Sequence, residues 1–261
     1  MADTVMLIHG AWLTPSAWDR FRQRFEAAGM TVVAPPWPCL DRPVDALRRT
    51  PDPRLARLGL REITDHYAAL IAAMPHPPIL IGHSFGGLIV QLLADRGLGA
   101  AAVAIDAPPP FGVPAHPLAV WTSLGVFTAF NGWNRVLRMP ERGFATGFAQ
   151  TLPEAEKPYS YDKFVVPTPG RIFFQAVLGI GSRVRWDNPD RPPLLLIAGE
   201  KDRTVPPSMV EGAYRRHLRS PMETVFHLFA GRSHWLCNED GWEEVADRAL
   251  GWAQEAAERR S

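Results

Sequence analysis

The sequence has few cysteines, little net charge and no long apolar run, and each absence excludes a class of protein. There are only two cysteines, Cys39 and Cys237, and their spacing is typical of neither a metal site nor a redox motif. The formal net charge is +1, which gives no reason to expect nucleic acid or an anionic membrane as a partner. No apolar run reaches the roughly 20 residues that cross a bilayer, and no basic leader precedes the first predicted strand. We therefore expect a cytoplasmic protein that uses neither disulfides nor a membrane anchor.

Apolar residues and proline are plentiful. The 261 residues are 46% hydrophobic, enough for one large α/β domain or two small ones. Proline occurs 26 times, roughly twice its average usage, and is concentrated in connections such as Pro108-Pro109-Pro110. The prolines therefore separate the predicted elements.

Short apolar runs alternate with helical patterns along most of the chain. This alternation predicts an α/β fold with a mostly parallel, twisted sheet and helices on both faces. Most of the runs are continuously apolar, as strands buried on both faces should be. The predicted strands lie at 5–8, 31–34, 79–81, 101–105, 194–198 and 224–226.

The alternation stops between residues 107 and 185. This segment has no clear strand and contains proline loops with aromatic helical pieces. We predict that it is a helical cap lying over the sheet, inserted into a core that comprises residues 1–106 and 186–261.

A Gly-x-Ser-x-Gly motif follows the third predicted strand. Gly82-His83-Ser84-Phe85-Gly86 comes directly after Ile79-Leu80-Ile81 and is followed by a helical pattern. A serine on a sharp strand-to-helix turn lies at the exposed tip of a sheet, above a helix N-terminus. In this context the motif predicts that Ser84 is a nucleophile.

A serine nucleophile needs a base and a carboxylate that orients the base. Asp202 follows the predicted strand at 194–198, and His234 follows the last predicted strand. The order Ser84, Asp202, His234 is the one expected when Gly-x-Ser-x-Gly heads a hydrolase sheet. Asp106 directly follows the strand at 101–105 and is the alternative carboxylate, because it also lies at the edge where sites form.

The turn after the first strand predicts an oxyanion hole. Gly10 in His9-Gly10-Ala11 allows the chain to turn inward, so that the backbone N–H of Ala11 faces the reacting carbonyl. The second predicted donor is the N–H of Phe85. The sequence has no histidines at helical metal spacing, so we predict that no metal or cofactor is needed.

These motifs together resemble the α/β-hydrolase superfamily, and most closely its small esterases, pyrethroid-hydrolase-like enzymes and hydroxynitrile-lyase relatives. The resemblance covers most of residues 4–110 and 190–258 and implies a triad of Ser84, His234 and Asp202 with Ala11 and Phe85 as oxyanion donors. Two features depart from the superfamily pattern. The usual N-terminal antiparallel strands have no counterpart, and Ala34-Pro35-Pro36-Trp37-Pro38 replaces an Asp-x-x-Gly-x-Gly loop.

A cap over a serine site also forms the wall of a pocket, and ligand pockets are mostly apolar. We expect Trp12 and Phe85 to line this pocket, and Trp121, Phe127 and Trp133 to contribute from the cap. The predicted substrate is therefore a small hydrophobic ester or lactone.

The predicted reaction is ester or lactone hydrolysis through an acyl-enzyme. The same triad serves lyases, carbon–carbon bond hydrolases and perhydrolases, and a cyanohydrin-type lyase would need a cap lysine such as Lys157 or Lys163. A ligand-binding protein on this scaffold is the alternative from another class. The sequence leaves open whether the protein is a monomer or a homodimer. We predict that the arginines between Arg42 and Arg61 form a solvent-exposed face.

Overall fold

The computed structural model describes residues 3–260. Three residues lie outside the described part of the chain: Met1, Ala2 and Ser261. The expectation about a leader concerns Met1 and Ala2 in part. Six strands form the main sheet: β1 (Thr4–Ile8), β2 (Thr31–Val33), β3 (Ile79–His83), β4 (Ala101–Ile105), β7 (Leu194–Gly199) and β8 (Thr224–Phe229). Two short strands, β5 (Val136–Leu137) and β6 (Thr168–Pro169), form a separate antiparallel pair.

The main sheet has the strand order β2-β1-β3-β4-β7-β8, and every neighbouring pair is parallel. All residues of β3, β4 and β7 are buried, which explains why their sequences are continuously apolar. The predicted fold class is confirmed. Because the strands are parallel, the loops that follow β1, β3, β4, β7 and β8 meet at one edge of the sheet.

Helices cover both faces of this sheet, and further helices lie in the chain between β4 and β7. In chain order the α-helices are α1 (Asp19–Ala27), α2 (Val44–Arg49), α3 (Leu60–Ala72), α4 (Phe85–Asp95), α5 (Pro117–Phe127), α6 (Glu141–Gly143), α7 (Lys157–Phe164), α8 (Arg171–Leu178), α9 (Pro207–His217) and α10 (Trp242–Glu258). Alternate strand residues point to opposite faces. Met6 and Leu80 join the core beneath α3, α4 and the cap, whereas Val5 and Ile79 join the core beneath α1 and α10.

The chain between β4 and β7 adds no strand to the main sheet in the structure. It contains α5, α6, a π-helical turn at Phe144–Phe148, α7, α8 and the β5–β6 pair. This segment packs against the loops at the sheet edge through aromatic side chains: Phe173 lies against Trp12, and Phe148 lies against His234. Among the described residues, no helix has both the length and the hydropathy to cross a membrane.

His217 makes the stability of this fold sensitive to acid. It lies at the end of α9, where its Nε2 contacts the side-chain oxygen of Gln91 at 3.1 Å and its ring packs against Trp186. Burial, reinforced by the nearby Arg191, lowers the pKa of His217 to about 3. Because the unfolded histidine binds a proton below about pH 6.5 and the folded one does not, the free energy of unfolding falls as the pH falls.

We expect this single histidine to account for about 2 kcal/mol of the stability lost between pH 7 and pH 5. Urea unfolding at the two pH values measures that loss, and His217→Gln should make it smaller by this amount. The variant is expected to be less stable at pH 7 as well, so the comparison uses the pH difference within each protein. Equal pH differences in the two proteins would contradict the assignment.

Candidate active site

Ser84 lies in the sharp turn between β3 and α4. Its backbone has φ 54° and ψ −126°, a strained conformation for a residue with a side chain. The two flanking glycines are required by close backbone contacts. A Cβ on Gly82 would lie 2.2 Å from the carbonyl oxygen of Gly86, and a Cβ on Gly86 would lie 2.0 Å from that of Ile8. The motif therefore fixes Ser84 at the edge where the loops meet.

His234 joins Ser84 to Asp202. Its Nε2 lies 2.9 Å from the Oγ of Ser84, and its Nδ1 lies 2.6 Å from the Oδ2 of Asp202. The His234 and Asp202 side chains are fully buried, and Ser84 is almost fully buried. The imidazole is held between Phe148, with ring centroids 4.5 Å apart, and His83, whose Nε2 contacts the carbonyl oxygen of His234 at 2.8 Å. The fold thus brings together all three residues predicted as the triad.

The two candidate carboxylates occupy different positions. Oδ1 of Asp202 accepts hydrogen bonds from the N–H groups of Thr204 and Val205 at 2.7 and 2.8 Å, which leaves Oδ2 for His234. Oδ1 of Asp106 instead accepts the N–H of Gly199 at 2.7 Å, and its carboxyl group lies within hydrogen-bond reach of the Asp202 carboxylate. The histidine is therefore paired with Asp202.

The same contacts indicate which carboxyl carries charge. Burial and the neighbouring Asp202 raise the pKa of Asp106 well above its usual range. Burial also raises the pKa of Asp202, but two backbone N–H donors and His234 favour its ionised form. One negative charge is thus better placed on Asp202, with Asp106 neutral. Burial lowers the pKa of His234 to about 3, so its imidazole is neutral at pH 7 and has a lone pair free for the Ser84 proton.

His9 supports the turn that contains Gly10 and Ala11. Its Nε2 accepts the backbone N–H of Trp37 at 3.1 Å, so its Nδ1 carries the proton and donates to the Gly10 carbonyl at 2.9 Å. Burial lowers the pKa of His9 to about 4, which keeps it in this neutral form. Because a trans peptide points its N–H away from its C=O, the N–H of Ala11 turns away from His9.

The two predicted oxyanion donors are free to bind a ligand. Neither the N–H of Ala11 nor that of Phe85 donates a hydrogen bond within the described part of the chain. Gly10 packs against Ser84 so closely that a Cβ on it would lie 2.8 Å from the Ser84 Cβ and 3.4 Å from the Oγ. Phe85 is the first residue of α4, where backbone N–H groups lack helical partners. Two unsatisfied donors thus adjoin the Ser84 hydroxyl.

A cavity of about 110 Å³ opens at Ser84. Trp12, Phe85 and Phe127, which the sequence predicted as pocket walls, all line it. The sequence prediction missed Phe173 of α8, whose ring centroid lies 4.8 Å from those of both Trp12 and Phe85. The other lining residues are mostly small or apolar: Pro108, Ala115, Ala119, Val120, Ser123, Ala176, Val177, Thr204, Val205 and Met209.

Two tryptophans predicted as pocket walls lie elsewhere. Trp121 points outward from α5 and is 60% exposed, whereas its neighbour Val120 lines the cavity. Trp133 packs against Phe174 and beneath the guanidinium of Arg171, away from Ser84. A second cavity of about 140 Å³ is lined by residues of α5 and by residues 137–140, and it shares Trp12, Ser123 and Thr204 with the first.

Possible metal ligands cluster only at this same site among residues 3–260. Ligand atoms of His83, Asp106 and His234 lie within 4.8 Å of one another. Both ring nitrogens of His234 are already engaged by Ser84 and Asp202, and Nε2 of His83 contacts a carbonyl oxygen. The cluster is therefore explained by the hydrogen bonds around Ser84, without a metal.

The fold and the Ser–His–Asp arrangement define a class of protein. The model of the alpha/beta hydrolase family matches residues 5–248, and the chain belongs to this family. A comparison with curated protein sequences finds none that matches.

Solved structures agree with this fold. A pyrethroid hydrolase from Sphingobium faniae JZ-2 is 20% identical, with a TM-score of 0.72, and the match covers 99% of this chain and 100% of that one. A monoacylglycerol lipase from Paleococcus ferrophilus is 20% identical, with a TM-score of 0.69 and coverage of 98% and 96%. A variant of tomato methylketone synthase I is 13% identical, with a TM-score of 0.67 and coverage of 98% of each chain. At these identities the similarity concerns the fold alone.

Proposed function

We propose that the protein hydrolyses carboxylic esters or lactones with apolar groups, through an acyl-enzyme intermediate. The observation that carries this proposal is the continuous chain of contacts from Ser84 Oγ through His234 to Asp202, at 2.9 and 2.6 Å. Family membership and the apolar cavity at Ser84 support it further. The pyrethroid hydrolase and the lipase among the similar structures are consistent with ester chemistry.

In the acylation step, Ser84 Oγ attacks the carbonyl carbon as His234 Nε2 takes its proton. Asp202 fixes the proton on Nδ1 and stabilises the imidazolium that forms. The N–H groups of Ala11 and Phe85 stabilise the negative oxygen. A donor of this kind typically lowers the activation barrier by about 3–4 kcal/mol. His234 then returns the proton to the leaving alkoxide, and the tetrahedral intermediate collapses to an ester of Ser84.

Deacylation repeats these roles with water. His234 removes a proton from water as the water oxygen attacks the acyl carbon, and the same two N–H groups hold the oxyanion. The proton then passes to Ser84 Oγ, which leaves, and the acid is released. Every proton is exchanged through His234, so the scheme needs no cofactor.

The cyanohydrin-lyase alternative is less well supported. It would need a lysine at the site, and neither cap lysine lines the cavity at Ser84. Lys157 is buried against Glu154, and Lys163 lies over the rings of Tyr159 and Phe164.

A panel of p-nitrophenyl esters of rising acyl length, together with a lactone, tests the proposal. We expect turnover with a preference for apolar acyl groups, and labelling of Ser84 by a fluorophosphonate probe. Ser84→Ala protein provides the blank for both measurements. A wild-type protein that neither turns over any of these compounds nor reacts with the probe would contradict hydrolysis and favour the ligand-binding alternative.

A further inference from the structure

Residues 107–185 carry most of the large hydrophobic side chains that are exposed in the described part of the chain. Of the ten large hydrophobic side chains that are exposed among residues 3–260, eight lie between residues 107 and 185. Four of them, which we call the cap face, are Val120, Trp121, Leu124 and Val177, with exposures of 47%, 60%, 48% and 59%. Val120, Trp121 and Leu124 share one side of α5, because residues one and four positions apart fall within about 100° around a helix. A concentration of this kind marks an interaction surface.

The cap face is continuous with the pocket at Ser84. Val120 of α5 and Val177 of α8 are both exposed and both line the cavity that contains Ser84 and Phe85. An apolar molecule leaving a surface that covers the cap face would enter this cavity without crossing water. A protein partner seated there would instead close the mouth of the cavity.

The cap is mainly basic. Residues 107–185 contain eight lysines and arginines against four aspartates and glutamates, a net charge of +4, whereas the rest of the chain has a net charge of −3. Arg135 and Arg138, which follow α5, are exposed and form no ion pair with any carboxylate in the described part of the chain. Arg138 also lines the second cavity. Basic residues beside apolar side chains are the pattern that binds anionic lipid headgroups.

We propose that the cap face docks on an anionic lipid–water interface and that Ser84 draws its substrate from that interface. The side chains of Trp121 and Leu124 would enter the lipid, with Arg135 and Arg138 at headgroup level. The whole-chain charge gave no sign of such a partner, because the net charge of −3 outside residues 107–185 offsets most of the +4 within them. Docking itself does not depend on the proposed hydrolysis; only the use of the surface as a source of substrate rests on it.

Vesicle flotation tests docking directly. With vesicles of phosphatidylcholine and phosphatidylglycerol we expect wild type to float, and Trp121→Ser/Leu124→Ser to lower the partition coefficient roughly 100-fold. Leu218→Ser is the matched control, because Leu218 is 54% exposed but lies after α9, outside the cap. The control should float like wild type. Arg135→Gln/Arg138→Gln should lower binding roughly 25-fold on anionic vesicles and leave binding to pure phosphatidylcholine unchanged.

Three outcomes would overturn the proposal: no flotation of wild type, equal flotation of the Trp121→Ser/Leu124→Ser variant, or an equal loss in the Leu218→Ser control. Sedimentation velocity without lipid addresses a second copy of the chain as the occupant. A wild-type dimer that becomes monomeric in Trp121→Ser/Leu124→Ser would assign the cap face to self-association and also overturn it. Ser84→Ala should float like wild type, so a failure of the proposed hydrolysis and a failure of docking are distinguishable.

Discussion

Ser84→Ala is expected to lower kcat for the best ester on the order of 10⁶-fold, and His234→Ala should lower it to about the same residual rate. The two side chains act as one unit, because the hydroxyl is a weak nucleophile until Nε2 of His234, 2.9 Å away, accepts its proton. The double variant should therefore be no slower than either single variant. The residual rate would come from the N–H groups of Ala11 and Phe85 and from substrate binding.

Steady-state kinetics on the three variants measure this, with Ser123→Ala as the control. Ser123 lines the same cavity as Ser84, but the ring nitrogens of His234 are hydrogen-bonded to Asp202 and Ser84 and not to Ser123. We expect Ser123→Ala to keep more than about a tenth of wild-type kcat, since it removes only a hydroxyl on α5. Losses that multiply in the double variant, or a Ser84→Ala protein with substantial turnover, would show that Ser84 and His234 do not form one catalytic unit.

The sheet could be predicted from the sequence because its strands are buried on both faces. Runs such as Ile79-Leu80-Ile81 and Leu194-Leu195-Leu196-Ile197 have no polar position to alternate with, and the helical patterns between them identify a parallel sheet. The glycines around Ser84 were predictable for a related reason. Backbone atoms approach Gly82 and Gly86 too closely for any Cβ, so the requirement for glycine is absolute and visible in the motif.

The sequence favoured Asp202 through the resemblance to the α/β-hydrolase superfamily and kept Asp106 as the alternative. Asp106 directly follows β4 and Asp202 lies three residues after β7, so both carboxyls are expected at the same edge of the sheet. What separates them is a backbone difference. Asp106 has φ 45° and turns one oxygen toward the N–H of Gly199, whereas Asp202 is held by the N–H groups of Thr204 and Val205 and faces His234. No local pattern in the sequence encodes this difference.

The cap walls were only partly predictable. α5 is apolar nearly all round, with Trp121 exposed and Ala119 buried, so its sequence has no periodic stripe that identifies the inner side. Small residues such as Ala119 and Ala176 line the cavity because they leave room for a ligand, while the large aromatic ring of Trp121 faces outward. Trp121 and Trp133, which the sequence predicted as pocket walls, therefore do not line the cavity at Ser84.

Because Asp202 and not Asp106 contacts His234, a substitution of Asp202 is expected to cause the second large loss of kcat. Asp202→Asn is expected to lower kcat on the order of 10⁴-fold with little loss of stability. The amide that replaces the carboxylate would present its NH₂ to Nδ1 of His234, which then has to accept a hydrogen bond. The proton would move to Nε2, where it blocks the lone pair that Ser84 needs. Measuring kcat against pH separates a change of the His234 tautomer from a simple loss of charge. With the wrong tautomer, kcat does not recover at high pH.

Asp106→Asn provides the comparison that makes the Asp202 result specific. Its carbonyl oxygen can still accept the N–H of Gly199, and its NH₂ can point toward the Asp202 carboxylate as a neutral donor, much as a protonated Asp106 would. Because burial and Asp202 raise the pKa of Asp106 well above its usual range, the substitution replaces one neutral group with another. We expect a loss in kcat below about tenfold. A larger loss in Asp106→Asn than in Asp202→Asn would transfer the role of orienting His234 to Asp106, and the 2.6 Å contact of Asp202 would then be structural.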